Sequence, residues 1–283
     1  MTGATTRLLT VGDVTLTIDL SRGARATRWT VGDLSVLARY GDDPVESGMY
    51  PMAPWAGRLR DNSVVVGERT VVLPPTRAEW ALHGTVLAAP VDLIEFEQAA
   101  DHARLAARVV DHAGWPWPTQ VDVTWDLRPR EIVTTITVTA LEDAFPVVVG
   151  WHPWFARHLA RGGPVRWDMN ATAMAERGQD YLPTGALLPF DRDCGPFDDA
   201  FLVPDGRARV TWPGALRIEI EADAQWYVVY DQLDVAACVE PQTGPPDGLN
   251  QGLGFDIATA EPGRPHRLTT RWLMRDDSQA DQA

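Results

Sequence analysis

Three stretches of this chain concentrate residues able to do chemistry. The first is Pro51-Met52-Ala53-Pro54-Trp55-Ala56-Gly57-Arg58-Leu59-Arg60-Asp61-Asn62, followed by Leu82-His83-Gly84. The second is Gly150-Trp151-His152-Pro153-Trp154-Phe155. The third is Glu240-Pro241-Gln242-Thr243-Gly244-Pro245-Pro246-Asp247-Gly248-Leu249-Asn250. His152 follows an apolar run, and a strand ending in His-Pro leaves the imidazole at a sheet rim or on a concave surface. Imidazole titrates near neutrality and both gives and takes protons; a histidine bonded to backbone for structural reasons fits the position equally well. His83, before a glycine, reads on its own more readily as structural. Glu240 closes the apolar run Ala236-Ala237-Cys238-Val239. Burial there would raise its pKa and make it a better base near neutral pH; the competing reading is a salt-bridged strand end. Cys238 shares the face of Glu240 if this stretch is a strand, and reads as packing.

The elements that must position these residues follow a period of two. Val121, Val123, Trp125 and Leu127 alternate with polar residues. After a turn at Arg128-Pro129-Arg130 the alternation resumes at Ile132, Thr134, Ile136 and Val138, which predicts an antiparallel hairpin with one buried face. A second hairpin is predicted around Gly67-Glu68, between Val64-Val66 and Val71-Leu73. Further strands are expected at Val91–Glu97, Arg104–Val110, Arg207–Trp212, Leu216–Glu221, Trp226–Tyr230, Ala236–Val239 and Arg267–Leu273. Helical spacing is missing; short runs near Arg157 and Ala171 would hold a helical turn at most. The fold class is therefore all-β, a sandwich or barrel. No fixed-period repeat points to a propeller. No linker divides the chain, so residues 1–283 read as one domain, with a polar, disordered tail from about 276 to 283.

The formal net charge of −14 argues against nucleic acid and anionic membrane surfaces as partners, and serves solubility. No run approaches the length of a membrane helix. The first residues lack the pattern of a secretion signal. Cys194 and Cys238 are expected as reduced thiols in a cytoplasmic protein. The 12 tryptophans suit stacking on sugar C–H faces, and suit a core equally well.

Taken together, the three stretches resemble the galactose mutarotase or aldose 1-epimerase family from about Gly12 to Arg275. The matching motifs are Arg58, Leu82-His83-Gly84, His152 with Phe155, Asp198 with Phe201, and Glu240-Pro241-Gln242-Thr243 with Pro246-Asp247 and Asn250, in that order. The resemblance implies a large twisted antiparallel β-sandwich, a small-molecule sugar substrate, no cofactor and no metal, and a monomer or homodimer. It implies a catalytic group of Glu240, His152 and His83. Glu240 removes the proton from the anomeric hydroxyl, His152 protonates the ring oxygen, and His83 with Arg58 holds hydroxyls. Asp198, with Asp199 as the register alternative, would accept bonds from ring hydroxyls. Gln242 and Trp154 complete the sugar-binding set. The chain departs from the family pattern at Gly57, where asparagine is usual, at the second arginine Arg60, and at Trp154, where tyrosine is more frequent. The Arg58/Arg60 pair leaves a hexose 6-phosphate open as substrate. Two other readings stand beside this one: a non-catalytic carbohydrate-binding protein, and a metalloenzyme using His83, His152 and Glu240 as ligands. Trp115-Pro116-Trp117-Pro118 is either a rigid loop over the site or a stiff turn. His102, His112, His158 and His266 read as surface or structural.

Overall fold

The computed structural model describes residues 5–38, 41, 43–110 and 114–277. Among these residues the architecture is all-β, built from two large antiparallel sheets. One is 11-stranded; its central strands run Arg25–Val31, Met49–Met52, Gly150–Ala156, Ala236–Gln242, Trp226–Tyr230 and Asp198–Leu202, in that spatial order. The other is 8-stranded and is centred on Leu216–Ala222, His266–Asp276, Glu131–Ala140 and Thr119–Arg128.

The predicted hairpins form. Thr119–Arg128 pairs with Glu131–Ala140 down to Arg128 opposite Glu131, and Arg130 turns the chain with φ of 55°. Val121, Val123, Trp125 and Leu127 are buried on one face. The other face carries cross-strand ion pairs, Arg104–Asp126 and Arg108–Asp122, the division expected of a half-buried antiparallel sheet. Ser63–Val66 and Arg69–Val72 pair around Gly67-Glu68.

Aromatic residues fill the space between the sheets. Trp151 meets Trp125 edge-on at 4.9 Å, Trp29 meets Trp272 at 6.3 Å, and Phe155 meets Trp212 at 5.9 Å. Each pair joins one sheet to the other, adding edge-to-face attraction to a large buried area. Because side chains alternate along a strand, seating Trp151 and Phe155 in this layer sends His152 and Trp154 to the opposite face of the first sheet. The same alternation buries Ala237 and Val239 in the core and turns Cys238, Glu240 and Gln242 outward with His152.

Three expectations need correction. His152-Pro153 does not end a strand: Gly150–Ala156 runs through it. Trp154 N donates to Gly48 O on one side, so the donor that Pro153 lacks falls on the side of Ala236–Gln242, where the recorded pairing skips from Gly150–Gln242 to Trp154–Cys238. Glu240 is likewise followed by two more strand residues. The bound of one helical turn near Arg157 and Ala171 holds, since neither run forms one. Short 3-10 turns occur instead at Pro44–Glu46, Arg60–Asn62, Val86–Ala88 and Arg192–Cys194, and the Arg157 guanidinium is occupied by the carbonyls of Asp231, Leu233 and Ala236. The last long strand extends to Asp276, and Asp277 is buried, its carboxylate accepting from Gly214 N; the rest of the expected tail lies outside the described residues.

Trp115 and Trp117 pack on Trp55 and Phe145 and do not line the pocket described below, so Trp115–Pro118 is a stiff turn whose two indoles are anchored in the core while Pro116 faces solvent. His102 is held by Glu97 and Asp101, and His266 Nε2 contacts Thr243 Oγ1. His112 lies outside the described residues. Among the described residues no helix is long and apolar enough to cross a membrane.

Candidate active site

The pairing of Gly150 with Gln242 and Trp154 with Cys238 sets His152 directly across from Glu240. Tyr50 pairs with His152 on the other side, and Val228 with Glu240. One row of outward side chains therefore crosses four adjacent strands: Tyr50, His152, Glu240, Val228. The neighbouring row reads Trp154, Cys238, Tyr230, Asp198. His152, Glu240 and Val228 of the first row and Trp154, Tyr230 and Asp198 of the second floor a cavity of about 380 Å³ walled by Arg58, His83, Arg77, Arg177 and Tyr181, within the size range of small-molecule sites.

At its base, His152 Nε2 lies 3.2 Å from Glu240 Oε1, with side chains only 6% and 2% exposed. Gln242 Nε2 donates to the other carboxylate oxygen at 3.0 Å, and the buried Gln242 Oε1 has no partner among the described residues. Burial pushes the Glu240 carboxyl well above its ordinary range, with Asp198 adding repulsion. Burial also pulls His152 down to about 3, with Arg25 and Arg77 contributing. Both shifts follow from the cost of charge in a low-dielectric interior. A proton moved along this 3.2 Å contact interconverts a neutral and an ionic form of the pair.

His83 stands edge-on to His152, with ring centroids 5.0 Å apart. Gly57 N donates to its Nδ1 at 3.2 Å, so Nε2 carries the ring hydrogen. Burial holds its pKa well below normal. His83 is thus a fixed neutral N–H donor at the cavity wall. The same contact accounts for Gly57. Its φ is 75°, and a Cβ there would come within 2.9 Å of Pro246, so the loops carrying Arg58 and Asp247 could not approach with a side chain present.

Arg58 reaches the cavity over the faces of Tyr181 and Trp80, and its buried Nε has no partner among the described residues. Arg60 does not join it. Its guanidinium turns outward to Asp180 and Pro183 O, so the two arginines, whose pairing left a hexose 6-phosphate open, do not converge on the cavity. Register and alternation put Asp198 on the pocket face. Its carboxylate has no hydrogen-bond partner among the described residues, whereas Asp199 is taken by Arg177 at 2.8 Å. Burial raises the Asp198 pKa. Trp154 packs against His152 and Tyr230 and donates to Val45 O. Asp247 and Asn250 lie off the cavity floor: the buried Asp247 accepts from Arg60 N and Asn250 Nδ2, and they clamp two loops.

His152, Glu240 and Cys238 place three donor atoms within 4.8 Å of one another. This is a different trio from the His83–His152–Glu240 set considered as metal ligands. Burial raises the Cys238 thiol, which favours the protonated form that does not ligate. Sequence reading did not single out Tyr50, Arg77, Arg177, Tyr181 or Tyr230. Tyr50 and Tyr230 sit opposite His152 and Cys238, a signal visible only once strand pairing is known.

The model of the aldose 1-epimerase family matches residues 15–272, and the chain belongs to that family. Its fold is shared with a galactose mutarotase-like protein from Clostridium acetobutylicum, at 15% identity over 95% of this chain and 94% of that one, with a TM-score of 0.84. It is shared also with an Escherichia coli K12 protein named as a candidate aldose 1-epimerase, at 18% identity over 97% and 100%, TM-score 0.83. A third is galactose 1-epimerase from Lactobacillus acidophilus, at 14% identity over 93% and 92%, TM-score 0.74. No curated protein sequence matches the chain.

Proposed function

We propose that this protein is an aldose 1-epimerase, a mutarotase that interconverts the α and β anomers of a hexose or related aldose, and that its chain works as one domain. The observation that carries this reading is the direct cross-strand apposition of His152 and Glu240, 3.2 Å apart, on the floor of a cavity lined by hydrogen-bonding side chains. In the ionic form of the pair, Glu240 takes the proton of the anomeric hydroxyl. The C1–O5 bond breaks with its electrons on O5, and O5 takes the proton of His152. The sugar becomes an open aldehyde and the pair becomes neutral. Rotation about C1–C2 presents the other carbonyl face. O5–H then returns its proton to His152 as O5 attacks C1, and Glu240 returns its proton to O1. Burial penalises the ionic form, so ring opening relieves the cost of two enclosed charges. Each well-placed proton transfer is worth about 10²–10⁴ in rate.

Around this chemistry the Nε2–H of His83 and the Arg58 guanidinium donate to sugar oxygens, and the Asp198 carboxylate accepts from a ring hydroxyl. Trp154 gives a flat wall, and Gln242 aims Glu240. The cavity-lining arginines Arg77 and Arg177 are paired with Glu46 and Asp199, and Arg60 is turned away. That pairing favours an uncharged aldose over a hexose 6-phosphate. The test is the approach to anomeric equilibrium of freshly dissolved α-D-glucose, α-D-galactose and a hexose 6-phosphate, followed by optical rotation or anomeric proton NMR. Faster equilibration of a neutral sugar is expected. Binding without acceleration of any sugar would replace this reading by that of a non-catalytic carbohydrate-binding protein.

A further inference from the structure

The row that holds His152 and Glu240 continues past Tyr50. Ala26 pairs with Met49, which sets Arg25 opposite Tyr50. Four residues on four adjacent strands therefore stand in line: Arg25, Tyr50, His152, Glu240. The side chains stack accordingly. The imidazole of His152 lies on the Tyr50 ring at 4.7 Å and 18°. The Arg25 guanidinium lies over the same ring at 4.9 Å, from the strand on its other side. Arg25 is 2% exposed. It is anchored on backbone, donating to Leu87 O at 2.9 Å, Ser47 O at 3.3 Å and Arg22 O at 3.4 Å. Tyr50 is pinned by its hydroxyl, which donates to Val45 O at 3.1 Å.

We propose that Arg25 and Tyr50 are positioning residues of the acid–base pair: Tyr50 fixes the plane of the His152 ring, and Arg25 directs a buried positive charge at it through the tyrosine. The inference rests on the epimerase reading only for its consequence in catalysis. A cation behind an imidazole disfavours the imidazolium and makes it a stronger acid toward a weakly basic ring oxygen. Burial lowers Arg25 to about 10, so it keeps its charge at neutral pH. Other groups face His152 as well: Glu240 and Cys238 from the neighbouring strand, His83 edge-on, Arg58 and Arg77 at the wall, and Asp198 beyond Glu240. None of these stands behind the ring as Arg25 does. A cation-to-tyrosine stack in this position is costly to build, because a buried guanidinium gives up its hydration, and surface lysines or arginines would serve stability alone.

The test is an NMR titration of the His152 ring carbon in ¹³C-histidine-labelled protein without sugar, assigned by its loss in His152→Gln. Arg25→Gln is expected to raise the His152 midpoint by roughly one pH unit, the effect of a unit charge about ten ångströms away across protein interior. Arg25→Lys, which keeps the charge, is expected to move it less than half as far. An unchanged midpoint in folded Arg25→Gln, or equal shifts in the two variants, would overturn the proposal. Should Arg25→Gln not fold, Tyr50→Leu decides. It leaves every ion in place, and kcat for anomer exchange is expected to fall about tenfold through loss of ring orientation, with KM within twofold; unchanged kcat would overturn the proposal. The titration needs no sugar. Failure of the epimerase reading would instead appear as wild-type protein that accelerates no aldose.

Discussion

Asp247 offers a test of how the site is held together. Its side chain is 2% exposed. It accepts from Arg60 N at 3.0 Å, Asn250 Nδ2 at 2.7 Å and Gln251 Nε2 at 3.3 Å, and lies 3.7 Å from Arg60 Nε. Its backbone N–H donates to Arg58 O, and its φ is 57°, a conformation that asparagine tolerates and alanine does not. Hydrogen bonds to a charged acceptor are worth about 1.5–3 kcal/mol each and do not add fully. Removing one partner from a buried charged cluster costs about 3–5 kcal/mol. Asp247→Ala is therefore expected to lose about 3–5 kcal/mol in urea unfolding, or roughly 10 °C in Tm. Asp247→Asn keeps the turn and most of the bonds and should lose about 1–2 kcal/mol. Because the clamp holds the backbone that bears Arg58, KM for the sugar should rise in both variants, more in the alanine. An Asp247→Ala protein within 1 kcal/mol of wild type, with unchanged KM, would refute the reasoning.

Acid should destabilise the protein well before its carboxylates titrate. Burial depresses His152 to about 3 and His266 to about 4, and holds His83 low, so the folded state refuses protons that the unfolded chain takes up below pH 6.5. Stability is present above that value and is lost as pH falls toward the folded pKa values. The raised pKa of Glu240 works against this, because the folded carboxyl holds a proton that the unfolded one has released. Unfolding then takes up a net one to two protons near pH 5.5, and stability should fall by roughly 1.4–2.7 kcal/mol per pH unit between about pH 6 and 5. Urea midpoints measured across that range check it, and a flat profile would contradict it.

Much of the second sheet was legible in the sequence because its strands have one wet face. The alternation of Val121 to Leu127 and of Ile132 to Val138 is the chemical image of a half-buried sheet. The first sheet was harder to read for the opposite reason. Its central strands are covered on both faces, so Met49–Met52 and Gly150–Ala156 carry continuous buried runs without alternation, and internal prolines disguise them further. Asp198–Leu202 begins with two acidic residues and shows no strand pattern. Motif order picked out His152 and Glu240, but not that they face each other, since that depends on pairing between strands more than eighty residues apart. For the same reason Tyr50 and Arg25 went unseen. Arg60 misled because neighbours in a sequence need not share a wall: a 3-10 turn at Arg60–Asn62 sends its guanidinium away from Arg58.

The central claim is that Glu240 exchanges protons with the anomeric hydroxyl, and the most direct measurement compares wild type with Glu240→Gln. The amide fills the same volume and can still contact His152 and Gln242, but it cannot take up a proton. Anomeric exchange of the best neutral aldose, followed by NMR at equal concentrations of folded protein, should slow by about 10²–10⁴ while sugar binding by titration calorimetry stays within a few-fold. A Glu240→Gln protein that exchanges anomers within tenfold of wild type would contradict the account.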